Sequence, residues 1–98
     1  MAKYMVLWEV DTSRTPEDSK AKKTQWLMLH DITKKFLKEG AVKEWGLFVG
    51  SVAGYLIFEG SAVEVQTFVG MWLPFSKCTV KECMTFDESL RSASALPE

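Results

Sequence analysis

The chain has no asparagine and a single histidine, His30, in 98 residues. One histidine is a poor start for a metal centre, because zinc normally takes three or four protein ligands. Cysteine is scarce too: only Cys78 and Cys83 are present. They lie an odd number of positions apart, so in a regular strand the two thiols point to opposite faces, and a disulfide between them would need a bulge or a bend. Their spacing also differs from a C-x-x-C redox or zinc pair. Two reduced thiols in an intracellular protein are the expectation. Apolar runs reach only four or five residues, against the roughly 18 needed to cross a bilayer, so no membrane span is expected. Met1-Ala2-Lys3 leads straight into a strand-like segment. No basic region followed by an apolar one is present to signal secretion, and a cytoplasmic location is expected.

An excess of positive charge is missing as well. Lys and Arg number 12, Asp and Glu 13, for a formal net charge of −1. A nucleic-acid binder usually carries a basic face. Lysines cluster at Lys20, Lys22 and Lys23 and at Lys34, Lys35 and Lys38, but acids surround them, as on a solvated helix face. No P-loop, dinucleotide fingerprint, serine elbow or EF-hand loop occurs. No cofactor is implied.

What is there is a globular composition, with 47% hydrophobic and 26% charged residues. The length suits one domain, residues 1–98, with a core over 4–86 and a C-terminal tail over 87–98. Residues 4–10 read as a strand: Tyr4, Val6, Trp8 and Val10 share one face, Met5 and Leu7 the other. Apolar residues on both faces signal a strand covered on both sides. Thr15-Pro16-Glu17-Asp18 reads as a helix start, with Thr15 as N-cap and Pro16 in the first position. Gly40 is the natural stop. A helix over that whole span would be roughly 36 Å long, against about 23 Å for a seven-residue strand. Its first two turns are therefore expected to overhang the sheet or to form a separate short helix. Trp26, Leu29, Ile32, Thr33, Phe36 and Leu37 fall on one arc, the core face; Leu27 and Met28 fall outside it.

A second strand is expected over 43–49, with Trp45, Leu47 and Val49 on one side. A glycine-bounded hairpin leads into a third strand over 54–59. Ser61 and Glu64 have capping-box spacing at the start of a second helix. That helix carries Ala62, Val65, Phe68, Val69, Trp72 and Leu73 on one face, and Pro74 ends it. A fourth strand spans 78–86, with Asp87 positioned to cap a short C-terminal helix. The order is that of a ferredoxin-like β-α-β-β-α-β unit, an α+β fold with two helices on one face of a four-stranded antiparallel sheet. The opposite face, about 400 Å² in projection, stays open in one chain. A second copy is the economical cover, so a homodimer is expected.

The element order, the length and the two-sided strands resemble the dimeric α/β-barrel superfamily, in which two ferredoxin-like sheets pack face to face. Val52-Ala53-Gly54-Tyr55-Leu56-Ile57-Phe58-Glu59, a helix ending in Trp72-Leu73-Pro74-Phe75, and Cys78-Thr79-Val80-Lys81-Glu82-Cys83-Met84 look nearest to a small uncharacterised family within it. The resemblance covers residues 4 to about 86 and concerns motifs that determine the fold. Some members are cofactor-free monooxygenases with an Asn, Trp and His set, which a chain without asparagine does not reproduce. Others hold haem through a helical histidine, with no further supporting residue here. Isomerase- and dehalogenase-like members use acids or polar groups in the cleft between helix and sheet.

The candidate catalytic groups follow from this. His30, one turn after Trp26, is placed to act as a base or ligand in such a cleft, or to sit as an ordinary boundary residue of the helix. Glu9 and Glu59, like Glu44 and Glu82, lie on strands, where a buried carboxylate can shuttle a proton. Trp8, Trp26, Tyr55 and Trp72 are the candidate walls of an apolar ligand pocket, or else core and dimer interface. RNA-recognition motifs share this element order. Gly54-Tyr55 matches their aromatic strand only weakly, because Leu56 and Ile57 follow and no basic residue precedes, so no nucleic-acid partner is expected. The reading is a dimeric domain that binds a small apolar ligand or a protein partner. The alternative is a small-molecule enzyme, isomerase- or oxygenase-like, that uses the helix–sheet cleft.

Overall fold

A computed structural model describes residues 2–97; Met1 and Glu98, the ends of the expected domain, lie outside the described residues. Strand β1 (Ala2–Val10) leads through a 3-10 turn at Thr12–Arg14 to helix α1 (Ser19–Glu39). Strands β2 (Val42–Leu47) and β3 (Ala53–Gly60) follow, then helix α2 (Ala62–Trp72), strand β4 (Ser76–Cys83) and helix α3 (Phe86–Ser94). The strands form one antiparallel sheet in the order β2-β3-β1-β4. The chain is thus an α+β fold with a four-stranded antiparallel sheet, and its β-α-β-β-α-β order carries one further helix at the end.

Alternation along β1 and β3 divides their residues between two faces. Tyr4, Val6 and Trp8 of β1 and Leu56 and Phe58 of β3 are buried against the helices. Val42 of β2 and Val65, Phe68 and Val69 of α2 join them in one core cluster. Half-buried Met5, Leu7, Tyr55 and Ile57 point the other way.

Local signals set most of the helix ends. Ser61 accepts from the Glu64 amide while Glu64 accepts from the Ser61 amide, a complete capping box for α2. Gly40 ends α1 at φ 89°, a left-handed conformation that glycine adopts without a Cβ clash. The start of α1 differs from the expectation. Thr15 is extended and caps the 3-10 turn, while Asp18 accepts from the Ala21 amide at 2.9 Å and is the N-cap. Thr15 is already used to close the 3-10 turn, its N–H donating to the Thr12 carbonyl at 3.1 Å, and the next side-chain acceptor, Asp18, caps α1.

Other boundaries move as well. Strand β2 ends at Leu47, and Val49 sits fully exposed in the turn beyond it. A register shift lies at the other end of β2, between Val42 and Glu44. Strand β4 begins at Ser76 and ends at Cys83, because Thr85 rather than Asp87 caps α3, in a second capping box with Glu88. In α2, Ala62 lies before the buried face and Leu73 after the last turn, and both are exposed. Leu37 is largely exposed on α1. Helix α3 buries none of its residues, and Phe86 and Leu90 along it are exposed.

Phe68 anchors α2. Its ring meets Phe36 of α1 edge-on at 4.7 Å, Phe58 of β3 at 5.2 Å and Trp72 at 5.9 Å between centroids. Phe68→Ala is expected to lower the unfolding free energy by about 3–5 kcal/mol, the range for deleting a buried aromatic ring. Chemical denaturation checks this, and a loss below about 1 kcal/mol would place the core elsewhere.

Candidate functional site

A cleft opens between the helices and the covered face of the sheet. Alternation on β1 supplies Val6, Trp8 and Val10 to it. Successive turns of α1 supply Trp26, Leu29, His30 and Thr33, which share one helix face. Trp45 of β2, Leu56 of β3, Phe68 and Trp72 of α2, and Ser76 and Cys78 of β4 close it. All four tryptophans of the chain are therefore in its wall. Its interior holds about 50 Å³. That exceeds the 10–15 Å³ or so that one water needs and is well below the roughly 300 Å³ of a drug-sized site.

An aromatic row runs along the wall. Trp26 meets His30 edge-on at 5.2 Å, His30 meets Trp45 edge-on at 5.5 Å, and Trp45 stacks on Trp8 at 5.4 Å with 16° between the planes. The stack depends on Gly54, the register partner of Trp8 on β3. A Cβ at that position would run into the Trp8 ring and the Gly46 carbonyl.

The polar groups of the cleft are few. His30 is exposed, and its Nδ1 lies 2.8 Å from the Trp26 carbonyl. Nδ1 must carry the proton to make that bond, which leaves Nε2 with its lone pair. Thr33 donates its hydroxyl to the Leu29 carbonyl at 2.9 Å. Burial pushes the Cys78 thiol up, so it stays protonated at neutral pH. The indole Nε1 atoms of Trp8 and Trp72 are buried and have no hydrogen-bond partner. An orphaned buried donor costs about 1–3 kcal/mol. No Lys, Arg, Asp or Glu side chain lines the cleft.

The structure therefore brings together His30, Trp8, Trp26 and Trp72. Tyr55, Glu9 and Glu59 lie on the other side of the sheet, as the alternation of their strands requires. There Tyr55 stacks near Phe48 at 6.2 Å and donates to Glu44 at 3.0 Å, and that carboxylate holds the phenol above its ordinary value. Trp45, Thr33, Ser76 and Cys78 are wall residues that the sequence reading did not single out as site residues. The spacing of Thr33 from Trp26 and Leu29 carried a signal; the position of Ser76 ahead of the expected strand hid it. Cys78 lines the cleft while Cys83 lies an odd number of positions further along β4, and both thiols are free. Among the described residues, no group of three or more His, Cys, Asp or Glu is placed to hold a metal ion. No helix among them is long and apolar enough to cross a membrane. No family model matches this chain, and no curated protein matches it.

Gly54→Ala is expected to push Trp8 off Trp45, lower stability by about 1–3 kcal/mol and shift the tryptophan emission. Denaturation and fluorescence of the purified variant check it. A variant with unchanged stability and spectrum would show that the stack does not need the glycine.

Proposed function

We propose that the chain is a binding domain that works as a homodimer of ferredoxin-like units, each taking one small apolar ligand in its helix–sheet cleft. The observation that carries the reading is the composition of the cleft. Four indole rings and several aliphatic side chains form it, and no charged side chain is among them. Such walls favour an apolar guest and give little purchase for stabilising a charged intermediate.

The second copy belongs to the same reading. Met5, Leu7, Tyr55 and Ile57 form an apolar centre on the open face. Lys77 and Lys81 lie along the β4 side of it, and Glu44 and Glu59 along the β2 and β3 side. A two-fold axis parallel to the strands, between two such sheets, sets the β4 side of one copy opposite the β2 side of the other. The apolar centres then cover each other and opposite charges meet at both rims. Fold resemblance to dimeric α/β barrels points to the same assembly.

An enzyme of the isomerase or oxygenase kind remains the second reading, because Nε2 of His30 is free at the edge of the cleft to take a proton. The cleft brings no Asp, Glu, Lys or Arg beside it, and its other titratable group is the Cys78 thiol, which burial keeps protonated.

Tryptophan emission reports directly on the cleft, since every tryptophan lines it. Titration with toluene is expected to change the emission saturably, at one site per chain. Cys78→Phe, which fills the cleft from β4, is expected to abolish the change while the circular dichroism spectrum is kept. A drift that never saturates and is the same in both proteins would overturn the binding reading.

A further inference from the structure

We infer that α3 is an arm that docks on a second copy of this chain, against the corner where the end of α1 meets the start of β2. The inference rests on the reading of the chain as a homodimer and adds the segment that each copy lends to the other.

The arm needs a surface that its own chain does not supply. Helix α3 has nine residues, is closed at its start by the Thr85 and Glu88 capping box, and buries none of its side chains. Isolated helices shorter than about 12–15 residues are marginal in water, and helices in proteins are held mostly by an apolar face packed on a neighbour. Such a face is present. Phe86, Leu90 and Ala93 fall at i, i+4 and i+7 on one stripe, and Phe86 is 81% and Leu90 55% exposed. The chain is 62 Å long, with a radius of gyration of 16.4 Å, against about 13 Å for a compact chain of this length. Neither β1 nor α1, each about 30 Å, spans that length. Helix α3, joined to the end of β4 by Met84 and Thr85 alone, extends it.

Connectivity says which surface is within reach. Strands β4 and β2 are the two edges of the sheet. Cys83, the last residue of β4, is the register partner of Lys3, and Val42, the first of β2, pairs with Phe58, itself the partner of Tyr4. Both therefore lie at the Ala2 end of the sheet. A two-fold axis parallel to the strands sets Cys83 of one copy across from Val42 of the other. Packed sheets are about 10 Å apart, and nine helical residues span about 14 Å, so α3 bridges the gap. The start of its own β2 lies three strands away, on the opposite edge.

The chemistry of the corner matches. Leu37 lies two turns beyond His30 on the line of α1 that meets β2 through the contact of His30 with Trp45, and it is exposed. Residues 34–43 carry Lys34, Lys35, Lys38 and Lys43 against one acid, Glu39, whereas α3 carries Asp87 and Glu88 against Arg91. Opposite charges thus flank an apolar contact. The open sheet face, about 400 Å² in projection on each copy, is small beside the roughly 800 Å² that each partner gives to a standard interface, and two arms enlarge it.

The test compares the full chain with the double variant Phe86→Glu, Leu90→Glu by sedimentation equilibrium. It also maps the arm by isotope-filtered NMR on a dimer mixed from carbon-13-labelled and unlabelled wild-type chains. The wild type is expected to dimerise, and the variant to have a dimer dissociation constant about a hundredfold higher, the worth of burying about one large apolar side chain. Tryptophan emission of the variant is expected to be unchanged, which shows an intact core, since every tryptophan lines the cleft. The filtered spectra are expected to join the Phe86 ring of one chain to the Leu37 methyl groups of the other. A wild type with the mass of one chain at every concentration would overturn this inference together with the dimer it rests on. Equal dissociation constants for the two proteins would overturn the arm and leave the dimer standing. Phe86 contacts confined to its own chain, or made to the other chain away from Leu37, would overturn the docking site.

Discussion

The two inner strands of the sheet are apolar on both faces, and the helices cover only one of them. That mismatch governs the rest of the structure. On the covered side, Tyr4, Val6 and Trp8 alternate with Met5 and Leu7, so every second residue of β1 is committed to the core under α1 and α2. On the other side, the same alternation leaves Met5, Leu7, Tyr55 and Ile57 only half-buried. A strand of this kind is usual where both faces are covered. Edge strand β4 brings Lys77 and Lys81 to the uncovered face and edge strand β2 brings Glu44, a pattern that a face-to-face partner with two-fold symmetry can use.

The covered side has its own consequence. Large aromatic rings from α1, α2, β1 and β2 meet there, and flat rings in a row do not fill space as branched aliphatic chains do. Phe68 closes the centre between Phe36 and Phe58. Toward the mouth, Trp8 and Trp45 stack, His30 stands edge-on to Trp45, and the narrow cleft remains beside them. Gly54 makes the arrangement possible by offering no side chain beneath Trp8. A local choice in one strand thus shapes a wall built by three other elements. The two indole donors left without partners are the feature that most distinguishes this wall from an ordinary core.

Much of the fold was legible because its signals are local. The capping box at Ser61 and Glu64, the stop at Gly40 and the alternation of β1 each depend on residues a few positions apart, and each appears as expected. The start of α1 was misplaced because Thr15 and Asp18 are both good caps, and the 3-10 turn at Thr12–Arg14, which takes Thr15 as its own C-cap, leaves Asp18 to open the helix. The end of β2 was misplaced because Phe48 and Val49 continue the apolar pattern into a turn. The site was less legible than the fold. Helical spacing placed His30 beside Trp26, and alternation separated Cys78 from Cys83. Alternation within a strand does not say which of its faces meets the helices, however. That depends on the register between strands, which sets Tyr55 opposite Leu7 and Gly54 opposite Trp8. Tyr55 and Glu59 therefore could not be told from Trp8's face in sequence, and the pairing of β1 with β3 sends them to the far face, where alternation within β1 already puts Glu9.

The mass of the full chain in solution tests the uncovered face most directly. Sedimentation equilibrium at micromolar concentration is predicted to give twice the mass of one chain, and the double variant Lys77→Glu, Lys81→Glu, which sets like charges against each other at both rims, is predicted to give the mass of one. A wild-type chain that stays single and well behaved at every concentration would contradict the claim that a second copy covers the sheet.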